Sequence, residues 1–187
     1  SLTLVLLSSR KRNFYNKKNL IFYTSLSLVL YGVLLNTASY LVDSNYLMFN
    51  DADASTFEQL TKSMIQMSYL EGLEYGLNVF GSDDIGILIL SSFIYRIFDN
   101  LLFYNVIVSI IGVISTVILF EICRSQMSNK YAFICSIVFS ISSFMVYYHN
   151  TMLKESLMVF VVLYFYLLYI KSVSEKRMYY LVLALII

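Results

Sequence analysis

IGILILSSFIYRIF, residues Ile85–Phe98, is apolar enough to enter lipid and too short to cross it. As a helix its 14 residues reach about 21 Å, against roughly 30 Å of hydrocarbon. Ser92, Tyr95, Arg96 and Asp99 recur at spacings of three and four, which gives one face a narrow polar stripe. If the segment spanned, Lys171, Lys176 and Arg177 would face outward, against the preference of basic residues for the cytoplasmic side. If it lies in the outer interface, Arg124 and Lys130 fall inside together with Lys171, Lys176 and Arg177. The interfacial arrangement satisfies every loop, and the segment is expected to lie there.

The flanks support a membrane setting. Upstream, Arg10, Lys11, Arg12, Lys17 and Lys18 precede the apolar run Leu20–Val42, a first span with its N-terminus in the cytoplasm. Downstream come apolar segments at Leu101–Ile122, Tyr131–Tyr148 and Ser156–Ile170, then the shorter run Met178–Ile187. Hydrophobic residues make up 59% of the chain and charged residues 13%, where soluble domains carry about a quarter charged. The expected fold is therefore all-α: a polytopic transmembrane helical bundle with an outer-face loop carrying juxtamembrane amphipathic helices. Residues 1–187 read as one transmembrane domain, with the first span at 20–42, the outer loop at 43–100 and further spans over 101–187. Leu2–Leu7 lacks a cleavage-site pattern and is not read as a signal peptide. A start on Ser1 and a last run too short to span lead us to expect the N-terminal portion of a longer protein.

Net charge is +1, with no basic face to neutralise phosphates, so no nucleic-acid partner is expected. Cys123 and Cys135 match no metal or redox spacing and read as apolar filler. His149 is the one histidine, which excludes a histidine-based metal cluster. No metal and no cofactor are expected, and no nucleotide-binding or nucleophile-elbow motif occurs.

Between Asp43 and Asp84 lie eight of the chain's twelve acidic residues and a single basic one, Lys62. Charge beside a bilayer is costly unless something uses it. Phe57, Leu60, Met64, Met67 and Leu70 repeat at helical spacing, and Ser55 with Glu58 reads as a capping box at the start of that helix. Glu71–Gly81, with Gly72, Gly76 and Gly81, is expected to be irregular.

Asn50-Asp51-Ala52-Asp53 stands at the entry to the helix. Carboxylates beside a helix N-terminus stay ionised, and an ionised carboxylate can accept a proton from an incoming hydroxyl. Asp51 or Asp53 can equally be a plain N-cap, and both readings stay open. On the interfacial topology, the turn Tyr148–Glu155 faces the same side as the acidic loop. There Lys154 can neutralise a lipid-linked phosphate and Glu155 can orient an acceptor; equally, Lys154 can snorkel and Glu155 can serve the helix terminus. Arg96 and His149 complete the candidate binding groups, with headgroup anchoring and structural hydrogen bonding as their plain alternatives.

This order of elements resembles the N-terminal part of the GT-C superfamily of integral membrane glycosyltransferases, which includes protein O-mannosyltransferases and aminoarabinose transferases. Asp53-Ala54-Ser55-Thr56-Phe57 resembles the family's acid followed four residues later by an aromatic. The segment from Gly81-Ser82-Asp83-Asp84 to Arg96-Ile97-Phe98-Asp99-Asn100 sits where the family has its juxtamembrane helix, and Tyr147–Ser156 occupies its second acidic loop. The chain departs from the family in Asp53-Ala54 where an Asp-Glu pair is frequent, in Ser82-Asp83-Asp84 where His-Pro-Pro is usual, and in Glu155 where many relatives carry Asp. The resemblance implies sugar transfer from a polyprenyl-phosphate (lipid-linked) donor at the outer face of the cytoplasmic membrane, to an acceptor it does not specify. It implies Asp53 or Asp51 as base, Glu155 as a catalytic partner positioning the acceptor, and Lys154, Arg96 and His149 as binding groups. Two other classes remain: an O-antigen-type polysaccharide polymerase or ligase, and a polytopic transporter. Against the transporter, the span interiors Leu101–Phe120 and Leu157–Ile170 hold no charge.

Overall fold

Leu101–Gln126 is the helix around which the other elements are arranged. The computed structural model describes residues 15–43, 52–80, 84–148, 150–152 and 154–175. These form helices α1 (Tyr15–Asp43), α2 (Ala52–Ile65), α3 (Tyr69–Phe80), α4 (Ile85–Ile97), α5 (Leu101–Gln126), α6 (Asn129–Ile141), α7 (Ser143–Tyr148) and α8 (Glu155–Glu175), with no strand among the described residues. Two of them, α5 and α8, are long and apolar enough to cross a membrane. At 26 and 21 residues they are about 39 and 31 Å long. Met178–Ile187 and the basic cluster at Arg10–Arg12 lie outside the described residues.

α5 packs against α1, α6 and α8. At its C-terminal end Phe120 meets Ile21 of α1 and Ala132 of α6 in a small buried cluster. At its N-terminal end Leu101, Tyr104 and Val108 join a larger one, with Ala54, Phe57 and Met64 of α2, Ile87, Leu88, Ile94 and Tyr95 of α4, and Met152. Asn100 starts α5 by accepting the Leu102 N–H at 2.7 Å, a side-chain cap that satisfies an otherwise orphaned donor.

α2, α3 and α4 form a platform against this N-terminal end. Ala54, Phe57, Thr61 and Met64 turn one face of α2 inward, and Thr61 shares a buried 2.7 Å hydrogen bond with Ser91 of α4. Only half of the expected polar stripe of α4 faces inward: Ser92 and Tyr95 are buried, with Ser91 beside them, whereas Arg96 and Asp99 are exposed, as are Ile89, Phe93 and Ile97. α4 does not run the length of the bundle. Asp84 at its start is bound to the Lys154 turn, and its end runs through Phe98–Asn100 into the first turn of α5.

Three expectations need correction. Ser55 and Glu58 do not form the capping box, because α2 begins at Ala52 and Ser55 lies inside it; Glu58 instead pairs with Lys62 at 2.7 Å. The box belongs to α3, where Ser68 N–H donates to the Glu71 carboxylate at 3.1 Å and Glu71 N–H approaches the Ser68 hydroxyl at 3.4 Å. Glu71–Gly81 is accordingly helical through Phe80 rather than irregular. Its glycines serve close packing: a Cβ on Gly72 would come within 2.9 Å of the Met64 carbonyl oxygen. Last, Tyr131–Tyr148 is not one helix. Ser142 adopts extended backbone (φ −62°, ψ 137°) and divides α6 from α7. The Ser142 hydroxyl donates to the Phe139 carbonyl and accepts from Met145 N–H, so the break supplies its own hydrogen bonds.

Candidate functional site

The turn after α7 is built from side chains that close the end of that helix. Asn150 Nδ2 donates to the Val146 carbonyl at 2.8 Å, the Thr151 hydroxyl to Tyr147 at 3.0 Å, and the Ser156 hydroxyl to Tyr148 at 2.8 Å. Three terminal carbonyls that a helix leaves unsatisfied are thus occupied by the turn itself. Asn150 also accepts from Ser109 of α5 at 3.2 Å, and it sits directly on Gly32 of α1. A Cβ at position 32 would lie 2.2–2.3 Å from the Asn150 amide, so this approach requires glycine. The turn is seated on three elements before any charged group is considered.

What that seat presents is Lys154. Its ammonium forms an ion pair with Asp84 at the start of α4, across 70 residues of sequence. The Asp84 side chain retains 17% of its accessibility and that of Lys154 38%. At that exposure solvent screens the pair, and its contribution to stability is modest. Asp84 stands at the N-cap position of α4 but makes no side-chain cap, because its carboxylate is directed to Lys154. Next to it, Glu155 begins α8, where the helix dipole favours an acid. Its Oε2 is buried without a hydrogen-bond partner among the described residues.

Other groups at this end are arranged around the same core. Tyr95 and Tyr104 pack with ring centroids 6.2 Å apart, and both hydroxyls are buried without a partner among the described residues. Burial first, then the Glu58 and Asp99 carboxylates and Tyr104, pushes the Tyr95 phenol well above its ordinary value, so it stays neutral. Both amide atoms of fully buried Asn105 on α5 also lack a partner among the described residues. Among the described residues, no three His, Cys, Asp or Glu side chains gather into a metal-ligand set.

The residues singled out from sequence divide into three groups. Lys154, paired with Asp84, and Glu155, its neighbour in the chain, follow the Met152 turn that packs on the N-terminal end of α5. The backbone of Asp53 lies in the first turn of α2, and the neighbouring Ala54 shares the buried cluster containing Met152; the Asp53 carboxylate, all of Asp51 and all of His149 lie outside what is described. Arg96 is committed elsewhere. Its guanidinium donates to the Met64 and Met67 carbonyls at 3.1 and 2.8 Å and lies over the Tyr69 ring at 5.8 Å, closing the C-terminus of α2 and the turn into α3.

Sequence reasoning missed Asp84, Asn150 and Gly32. Asp84 and Lys154 each immediately precede an apolar helix, which is a visible signal, but nothing along the chain pairs them. Comparison with protein-family models, with curated proteins and with solved structures yields no match to this chain.

Proposed function

We propose that this chain belongs to a membrane glycosyltransferase that moves a sugar from a polyprenyl-phosphate donor to an acceptor at the outer face of the cytoplasmic membrane. The observation that carries the reading is the pairing of Lys154, which Glu155 follows in the chain, with the remote Asp84, near the end of α5 where α2 with Asp53 also packs. A multi-pass arrangement is part of the proposal. α1 leads outward, α5 returns, α6 and α7 lead out again, and α8 returns, with the α2–α4 platform outside. This leaves Arg124, Lys130 and Lys171 at the cytoplasmic ends.

In the proposed reaction the Asp53 carboxylate, or that of Asp51, takes the proton of the acceptor hydroxyl. The acceptor oxygen then bonds to the anomeric carbon as the bond from that carbon to the lipid phosphate oxygen breaks. Lys154 balances the charge left on the polyprenyl phosphate, a favourable placement for a cation at a developing anion. Glu155 holds the acceptor. His149 is kept as a donor-side hydrogen-bonding group, and Arg96 positions the platform by fixing the α2–α3 turn.

The test is sugar transfer by the full-length protein in liposomes, with a polyprenyl-phosphate sugar as donor and cell-envelope glycans as acceptors. Asp53→Asn is expected to abolish transfer with membrane insertion intact, and Lys154→Ala to lower it at least tenfold. Transfer at the original rate in both variants would overturn the assignment.

One observation favours a transporter as the second reading. The α6–α7 break at Ser142 lies beside a small pocket where Ser25, Thr116, Ser140 and Asn150 sit among apolar residues, and interrupted helices are a frequent feature of transport sites. Solute uptake that survives Asp53→Asn and fails when the break is bridged by Ser142→Ala would support it over transfer.

A further inference from the structure

Between α1, α5 and the α6–α7 break lies a half-open, mainly apolar pocket of about 20 Å³ with Asn150 in its wall. Ser25, Thr116 and Ser140 bring one hydroxyl each from α1, α5 and α6. All three residues are buried, at 3%, 2% and 8% exposure. Their hydrogen bonding is unequal. Thr116 donates to the Gly112 carbonyl at 3.1 Å, and Ser140 to Ile137 at 2.9 Å. Each therefore has spent its hydrogen and retains acceptor capacity. Ser25 Oγ is buried and has no hydrogen-bond partner among the described residues.

A buried hydroxyl without a partner is destabilising by about 1–3 kcal/mol, so an occupant that completes the set is favoured. The volume suits one water, which needs about 10–15 Å³ and two to four polar partners. The lining carries no charged side chain, so an ion there would be desolvated with no counter-charge. An apolar guest would leave Ser25 unsatisfied. We propose that this cavity is a binding site for one water molecule, which accepts from Ser25 and donates to Thr116 and Ser140. The water ties the helix break to α1 and α5 beside Asn150, four residues before Lys154. Three hydrogen bonds is the usual complement of a buried water.

The sign of one substitution separates a wet cavity from a dry one. With the water present, Ser25→Ala removes one of its bonds, and the unfolding midpoint of the full-length protein in nanodiscs falls by a few degrees. In a dry cavity the same change deletes an unsatisfied hydroxyl, and an unchanged or raised midpoint overturns the proposal. Thr116→Val keeps shape and removes an acceptor. Because both residues act through one water, the double variant loses less than the sum of the singles, whereas full additivity overturns it. Should Thr116→Val fail to accumulate, Ser140→Ala takes its place in the cycle. Ordered density between the three hydroxyls in a high-resolution structure is the direct expectation. A midpoint that depends on NaCl but not on choline chloride would instead assign the site to a cation and overturn the water.

Discussion

The two ends of α5 collect charge in opposite ways. At the Gln126 end, Glu121 and Arg124 pair at 3.4 Å across three residues of one helix, and the buried cluster of Ile21, Phe120 and Ala132 is purely apolar. At the Leu101 end, Asp84 and Lys154 pair across 70 residues, near tyrosine hydroxyls and an asparagine amide that have no partner among the described residues. A pair at i,i+3 forms on any helix that carries it. A pair between remote segments exists only because the fold holds both, and here the fold invests three elements in seating the turn. The difference directs attention to the Leu101 end for chemistry and leaves the other end as packing.

Four changes break or sharpen this contrast, in falling order of expected effect. Gly32→Val drives a side chain into Asn150 and should be destabilising by about 1–3 kcal/mol, the usual cost of overpacking, read by thermal unfolding in nanodiscs. It should also unseat the Lys154 turn, measured as faster hydrogen exchange over 150–156. Arg96→Gln removes charge-assisted bonds to two carbonyls and, with partial exposure, should cost about 1–2 kcal/mol. Protease susceptibility should rise at Gln66–Ser68, with the bundle unaffected. Asp84→Asn should cost under about 1 kcal/mol, while doubling or more the rate at which an amine reagent labels Lys154. Equal labelling would mean the pair does not restrain the lysine. Glu121→Gln, at the other end, should change the midpoint by less than about 0.5 kcal/mol.

A pH dependence at the platform follows from Glu71. Hydrogen bonds from the Ser68 hydroxyl and backbone hold its carboxyl below the ordinary value of 4.5. A depressed folded-state value means the cap stabilises α3 above the unfolded value and is lost as pH falls through the folded one. Amide exchange at Tyr69–Glu74 should therefore rise, relative to α5, below about pH 4.5, and Glu71→Gln should remove that acid step.

Several boundaries were legible in the chain. Ile85–Phe98 and Leu101–Ile122 correspond to α4 and α5, because an apolar run bounded by polar residues leaves a local mark. The platform was misjudged where glycine entered. Gly72 and Gly76 read as breakers along the chain, yet they let α3 approach Met64, an advantage that exists only once α2 is beside it. Ser140–Ser143 carries no Pro or Gly, so the break at Ser142 had no breaker residue to announce it. Arg96 was legible as a cation at a helix end and not as the cap of another helix, since its acceptors lie 29 and 32 residues away.

By itself the sequence determined that this chain is helical, that α5 and α8 can enter a membrane, and that its acids gather ahead of α4. Those properties follow from local propensity, hydropathy and composition, which act over a few residues. Only the tertiary structure decided that Asp84 meets Lys154, that Asn150 rests on Gly32, and that Ser25, Thr116 and Ser140 from three helices line one small pocket. Each of these depends on distances between helices, and such distances are set by how whole faces pack.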